Sequence, residues 1–258
     1  LILAGRGFGK TRTGAEWIRE RVVNGLAKRI AIIGKTPADV RDVMIEGESG
    51  IISISPPWNK PDYQPSRRRI IWPNGSVAHI FSSYEPDQLR GPQFDTAWCD
   101  ELASWEYIEE TWDNLMFGLR LGEKPQVCIT TTPRSLQLLK NIRDLENTIV
   151  TTGSSYENKK NLNANFFTAI LSKYKNTRLG MQEIYAEILE ESEGALWKRE
   201  WFEGSRLESY PTELERIVIA IDPAVTATKT SDETGIMVAG KDIDGNYYII
   251  NDSSGRYS

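Results

Sequence analysis

Two groups of residues in this chain have the types and spacing to do chemistry. The first is Gly5, Gly7, Gly9, Lys10 and Thr11 in LILAGRGFGKT; the second is Asp100 beside Glu101 in FDTAWCDE, about ninety residues on. In the first, an apolar run ends in a glycine-rich turn and a Lys-Thr pair opens a helix. That order suits a phosphate-binding loop, in which several backbone N–H groups must converge on a polyphosphate and residues without a Cβ tolerate the tight or left-handed positions this needs. Lys10 can then reach the terminal phosphates, the Thr11 hydroxyl can ligate Mg²⁺, and the helix N-terminus adds its dipole. The usual pattern begins with a glycine where this chain has Ala4, so the loop is a variant, and an ordinary glycine-rich strand-to-helix turn is the plainer reading of it alone.

A phosphate loop predicts a later strand ending in one acid that holds Mg²⁺ and another that activates water against the γ-phosphate. Asp100 and Glu101 fit those two roles. Thr130, Thr131 and Thr132 end a further apolar run just before Pro133, where their hydroxyls can sense the γ-phosphate at the edge at which open α/β sheets bind ligands. Loop, acid pair and threonine cluster come in the order that a RecA-like ATPase requires.

The elements that must position these groups are legible from periodicity. Ala15, Ile18 and Val22 recur at helical spacing over 10–24, and Gly25 reads as the helix stop. RIAIIG (29–34) is a continuous apolar run expected of a strand covered on both faces, and TPADVRDVMIEG reads as a helix capped by Thr36. Residues 56–65 read as loop, and RRRIIW and SVAHIFSS flank Pro73-Asn74-Gly75 as a hairpin. Arg67, Arg68 and Arg69 beside it can face phosphates or form a solvated strand end. FDTAWCDE is a strand, with a long amphipathic helix from it to Gly122; PQVCITTTPR is a buried strand at 127–131; a helix from Ser135 and a strand NTIVTT follow. Two helical stretches, 163–175 and 177–191, read as a small lid subdomain, 196–215 as a linker, and 216–258 as a three-stranded antiparallel start of another α/β domain.

Composition narrows the classes. The chain has 258 residues, 40% hydrophobic with eight Trp and ten Tyr, which is the make-up of a folded globular protein of one large or two modest domains. No run reaches the length that crosses a bilayer. The net charge of −5 excludes a passive polyanion binder, so nucleic-acid contact must come from a local basic patch. The two cysteines, Cys99 and Cys128, lie in apolar strand-like runs and read as reduced, buried thiols. His79 is the only histidine and reads as structural, so histidine-based catalysis is not expected. The chain starts at Leu1 without Met, which we read as missing N-terminal residues.

The series GRGFGKT, RDVMIEGESG, WPNGSVAHIFSS, DQLRGPQFDTAWCDE, ITTTPR and IAIDP resembles the large terminase subunit of tailed bacteriophages and gene-transfer agents over nearly the whole chain. The resemblance implies an α/β, RecA-like P-loop ATPase with a mainly parallel sheet at 1–195, joined to an RNase H-like nuclease beginning at 216. It implies an ATP- and Mg²⁺-dependent motor that pumps double-stranded DNA through a portal into a procapsid, in the host bacterial cytoplasm and transiently at the portal vertex. Its implied partners are DNA, the portal and procapsid, the small terminase subunit and copies of itself in a ring, with a monomer in isolation and no membrane. Lys10 and Thr11 would bind phosphate and Mg²⁺, Asp100 and Glu101 serve metal and water, and Thr131 and Thr132 match the coupling motif. Arg6 resembles the arginine inside terminase phosphate loops, a candidate cis sensor, and Arg90 one that acts in trans; a structural salt bridge is the alternative for each.

Asp222 matches the first nuclease acid and Asp232 is a candidate second ligand of a divalent-metal site for Mg²⁺ or Mn²⁺. The remaining acids and the adenine-contacting segment are expected outside this sequence, which predicts weak cutting and weakened nucleotide affinity. Two other readings share the same residues: a helicase-like DNA translocase outside packaging, and a nucleotide switch without hydrolysis.

Overall fold

The computed structural model describes residues 1–163, 174, 177–187, 205, 207, 213–223 and 234–255. The chain divides into two compact units, Leu1–Ser192 and Glu193–Ser258.

The first unit is built on an eight-stranded sheet of β1 (Ile2–Ala4), β2 (Arg29–Gly34), β3 (Asp62–Gln64), β4 (Arg69–Ile71), β5 (Val77–Ser82), β6 (Thr96–Asp100), β7 (Gln126–Thr131) and β8 (Thr151–Gly153). Their spatial order is β3-β4-β5-β2-β6-β7-β1-β8. From β5 to β8 in that order every pair is parallel, while β3 and β4 add on antiparallel. Helices α1 (Lys10–Val23), α2 (Ile108–Gly118) and α3 (Gln137–Arg143) cover the two faces.

The continuous apolar run of β2 follows from that double cover. Ile30 and Ile32 pack with Ala15, Ile18 and Val22 of α1, whereas Ala31 and Ile33 pack on the other face with Leu115 of α2 and Leu139 and Ile142 of α3. A strand between two helical layers has no face for polar side chains, so alternation disappears from its sequence. Each such fully buried Ile contributes about 1.5–3 kcal/mol of transfer free energy. Cys99 and Cys128 are buried free thiols in these layers, with burial raising both pKa values, that of Cys128 to about 11.

Several boundaries differ from those read in the sequence. The stretch 56–65 is not all loop, because Asp62–Gln64 pairs with Arg69–Ile71 and lengthens the hairpin sheet by a strand. Thr36 does cap a helix, through a capping box with Asp39, but only Pro37–Asp39 is α-helical and Val40–Ile45 forms a π turn. The helix expected to reach Gly122 ends at Gly118, since Leu119 bridges to Phe94 and the Leu121 amide donates to the Phe94 carbonyl. Sheet-edge pairing wins there over helical periodicity. Of NTIVTT only Thr151 and Thr152 are in a strand. Nearly all of the first lid stretch, 163–175, and most of the 196–215 linker lie outside the described residues; within the second stretch, α4 (Arg178–Glu183) is helical and capped by the Thr177 hydroxyl.

The second unit contains an antiparallel sheet of β9 (Arg216–Asp222), β10 (Gly235–Lys241) and β11 (Tyr247–Asp252), ordered β11-β10-β9. The β10–β11 connection is the expected Asp244-Gly245-Asn246 turn, with Gly245 at φ 88°.

Candidate active site

Topology brings the two reactive groups together. The loop after β1 and the carboxylates after β6 lie on either side of β7, because β7 pairs in parallel with both neighbours. In register, Thr130 stands beside both Asp100 and Ile2, and Thr131 beside Leu3. All three strands end at the same sheet edge.

The loop glycines serve two different purposes. Gly7 and Gly9 have φ of 77° and 106°, in the left-handed region that side chains disfavour. Gly5 has no such φ; a Cβ there would come within 2.6 Å of the Ile184 carbonyl and 2.8 Å of Ser155 Oγ, so its role is close approach. Gly5 thus occupies a tight position, and Gly7 and Gly9 left-handed ones. Not every loop amide is open either, because Arg6 N–H donates to the Glu183 carbonyl at 2.7 Å. The N–H groups of Gly7 and Gly9 have no acceptor among the described residues.

Lys10 is buried, and its Nζ donates to the carbonyls of Ala4 (3.0 Å) and Gly5 (3.2 Å) and to Thr132 Oγ1 (3.1 Å). It also pairs with Glu101 Oε1 at 3.3 Å. Thr132 completes the contact, its amide donating to Glu101 Oε2 at 3.1 Å. Thr131 is turned away: its hydroxyl accepts from the Ala103 amide and donates to the Thr132 carbonyl. Glu101 itself has φ 47°, a left-handed conformation that costs a non-glycine residue about 1–3 kcal/mol and that clusters at functional sites.

Asp100 is buried at the end of β6. Its Oδ1 accepts from Thr130 Oγ1, which in turn accepts from Trp98 Nε1 at 2.9 Å, and its Oδ2 accepts from Thr11 Oγ1 at 3.4 Å. Burial pushes its pKa up to about 6; the Thr130 bond opposes this, the Glu101 charge adds to it, and Lys10 and Thr11 pull it back. A buried carboxylate with a hydroxyl beside it is a hard-oxygen donor set of the kind Mg²⁺ takes. The raised pKa reflects negative charge that burial disfavours and that a divalent cation would compensate.

The other sequence candidates lie elsewhere. Arg6 is exposed and pairs with Glu183 Oε2 at 3.6 Å. Arg90, exposed at 71%, pairs with Asp87 at 3.1 Å and edges a surface cavity of about 360 Å³ with Pro92, Asn114, Phe117 and Arg120. It has no contact with the loop. Asp222 ends β9 opposite Gly235, and Asp232 lies outside the described residues. Among the described residues no group of three or more His, Cys, Asp or Glu is arranged to hold a metal. His79 is half-buried on β5, its pKa lowered by burial and by Arg29 and Arg69, and is not part of the site. Trp98, Ser155, Asn158 and Glu183 also contact these groups, through tertiary contacts that no sequence pattern marks.

The sheet, the loop and the acid pair define a RecA-like α/β phosphate-loop domain. Residues 1–204 match the family described as terminase large subunit, T4likevirus-type, N-terminal, and the chain belongs to that family. No curated protein is significantly similar to it. Among solved structures, the large terminase ATPase domain of Thermus phage P74-26 is 16% identical with a TM-score of 0.53, over 73% of this chain and 88% of that one. The large terminase of a thermophilic bacteriophage, in complex with ADP, is 13% identical with a TM-score of 0.57, over 99% of this chain and 63% of that one. The large terminase of bacteriophage HK97 is 15% identical with a TM-score of 0.50, over 95% and 57% respectively. This chain thus spans under two thirds of the length of the latter two. No helix among the described residues is long and apolar enough to cross a membrane.

Proposed function

We propose that this chain is the ATP-hydrolysing motor subunit that drives double-stranded DNA through a portal into a procapsid. In this reading 1–195 is the ATPase domain, with a helical lid at 163–191, 196–215 is the linker and 216–258 opens an RNase H-like nuclease. The observation that carries it is the convergence of Lys10, Thr11, Asp100, Glu101 and Thr132, joined by direct contacts across three neighbouring strands.

The roles follow from the contacts. The Gly7 and Gly9 amides and the first turn of α1 receive phosphate oxygens, and Lys10 neutralises their charge. Thr11 and Asp100 would hold Mg²⁺, which would offset the negative charge that develops on the transferring phosphoryl group. Glu101 orients and polarises the attacking water, and Thr132, bonded to both Glu101 and Lys10, reports the γ-phosphate to β7. The ADP complex of the thermophilic phage terminase supports the choice of adenine nucleotide. Arg6 is assigned the cis sensor and Arg90 the trans arginine of a neighbouring copy in a ring on the portal. The small terminase subunit and DNA complete the partners. Asp222, with Asp232, begins the nuclease metal site.

Glu101→Gln tests the assignment: ATP binding stays while turnover falls about 10²–10⁴-fold, the usual worth of a general base. Equal turnover in variant and wild type would remove Glu101 from this role. Stimulation of wild-type turnover by portal or procapsid separates packaging from a helicase-like translocase, and steady turnover separates it from a switch.

A further inference from the structure

The phosphate loop is gripped from outside. Ser155 and Asn158 lie on the 3₁₀ helix Ser155–Asn161, which a capping box between Ser154 and Glu157 anchors. Ser155 Oγ donates to the Arg6 carbonyl at 2.6 Å, and Asn158 Nδ2 donates to the Gly7 carbonyl at 2.7 Å. The Ser155 amide in turn donates to the Ile184 carbonyl at 2.8 Å. Leu162 lies against Gly7, where a Cβ would approach its Cδ1 to 2.9 Å. With Lys10 on the carbonyls of Ala4 and Gly5, four consecutive loop carbonyls, 4 to 7, are each held by a side chain.

In a trans peptide the C=O and the following N–H point to opposite sides of the bond. Holding the Arg6 carbonyl toward Ser155 therefore turns the Gly7 N–H the other way, and this amide has no acceptor among the described residues. The Gly7–Phe8 peptide is held likewise by Asn158, and Gly7, at φ 77°, is the hinge between the two planes. A glycine loop left to itself samples many orientations of these planes, since glycine has the most backbone freedom to lose.

We infer that Ser155 and Asn158 are positioning residues of the phosphate loop: by pinning the Arg6 and Gly7 carbonyls outward they hold the Gly7 amide toward the phosphates. Neither contacts the nucleotide. The inference rests on the phosphate-loop reading above and goes beyond it, because nothing in the loop motif names partners 149 and 151 positions downstream.

The test uses the whole chain, with inorganic tripolyphosphate and Mg²⁺ as the probe and Lys10→Ala as the control for the loop itself. In wild type the ¹⁵N–¹H resonance of Gly7 shifts on titration. In Ser155→Ala and in Asn158→Ala the Kd rises about tenfold, the effect of losing one net hydrogen bond of orientation, and the Gly7 shift shrinks, with the melting temperature near that of wild type. Wild-type Kd and an unchanged Gly7 shift in both variants would overturn the inference while leaving the phosphate-loop reading standing. Should Ser155→Ala melt early, Asn158→Ala decides alone by the same two readouts. If wild type binds no tripolyphosphate, or Lys10→Ala binds it equally well, the phosphate-loop reading fails and the positioning role with it.

Discussion

Asp100 in the first unit and Asp242 in the second are both held by several donors, and their surroundings push them in opposite directions. Asp242 accepts from the side-chain amide of Asn246, the Tyr248 hydroxyl and the backbone amides of Asp244 and Asn246, and the Asn246 side chain leads in pulling its pKa down to about 2. Both carboxylates are buried, but Asp100 accepts from only two hydroxyls, so burial is not offset and raises its pKa to about 6. The first arrangement tightens a turn around a charge that is content to stay ionised. The second keeps a carboxylate ionised near neutral pH at a cost, which the proposed cation would offset. In the candidate site a destabilised carboxylate, Asp100, stands next to a left-handed Glu101 at φ 47°, a pairing of the kind that clusters at functional sites.

This contrast can be broken by mutation. The largest effect is expected for Asp100→Asn, which keeps the shape and removes the charge: turnover falls by at least about 10²-fold. Stability moves the other way. A carboxyl whose folded pKa of about 6 lies above its ordinary 3.8 stabilises the fold fully below the lower value and loses that contribution as pH rises through the upper one. Between pH 4 and 7 wild type should therefore lose on the order of 2 kcal/mol that Asp100→Asn keeps, read as a higher melting temperature of the variant at pH 7–8. A variant that melts below wild type there would mean Asp100 is a structural acid like Asp242.

Gly14→Ala sharpens the same boundary through packing. A Cβ on this α1 glycine would lie 2.2 Å from Trp98 Nε1, the group that holds Thr130 beside Asp100. The overpacking costs about 1–3 kcal/mol, against about 1 kcal/mol gained in helix propensity. Turnover should fall further than the change in denaturation midpoint explains; an unchanged turnover would uncouple Trp98 from the acid. The smallest effect is expected for Asp242→Ala, a modest drop in melting temperature at pH 7 with ATP turnover unchanged. Its folded pKa is depressed, so the difference from wild type should fade as pH falls from 3.8 toward about 2.

Much of the site was legible because its parts are local. A glycine-rich turn before Lys-Thr, or an Asp-Glu at the end of a strand, is a short-range pattern whose chemistry survives without coordinates. The strands with continuous apolar runs were equally plain, and so was the Asn-Gly hairpin. Errors fell where a long-range partner competed with a local preference: Asp62–Gln64 became a strand because Arg69–Ile71 lies beside it, and α2 stopped early because Phe94 claims Leu119 and Leu121.

The sequence by itself determined which residues can bind phosphate, hold a cation and polarise water, because those capacities belong to side chains and to glycine's backbone. Only the tertiary structure decided how they are held. Placing β7 between β1 and β6 sets Lys10 against Glu101 and Thr132, buries Asp100 until its pKa climbs, and leaves Thr131 facing Ala103. It also brings Ser155, Asn158 and Glu183 onto a loop near the start of the chain. No periodicity encodes such contacts, since they depend on where separate strands end in space.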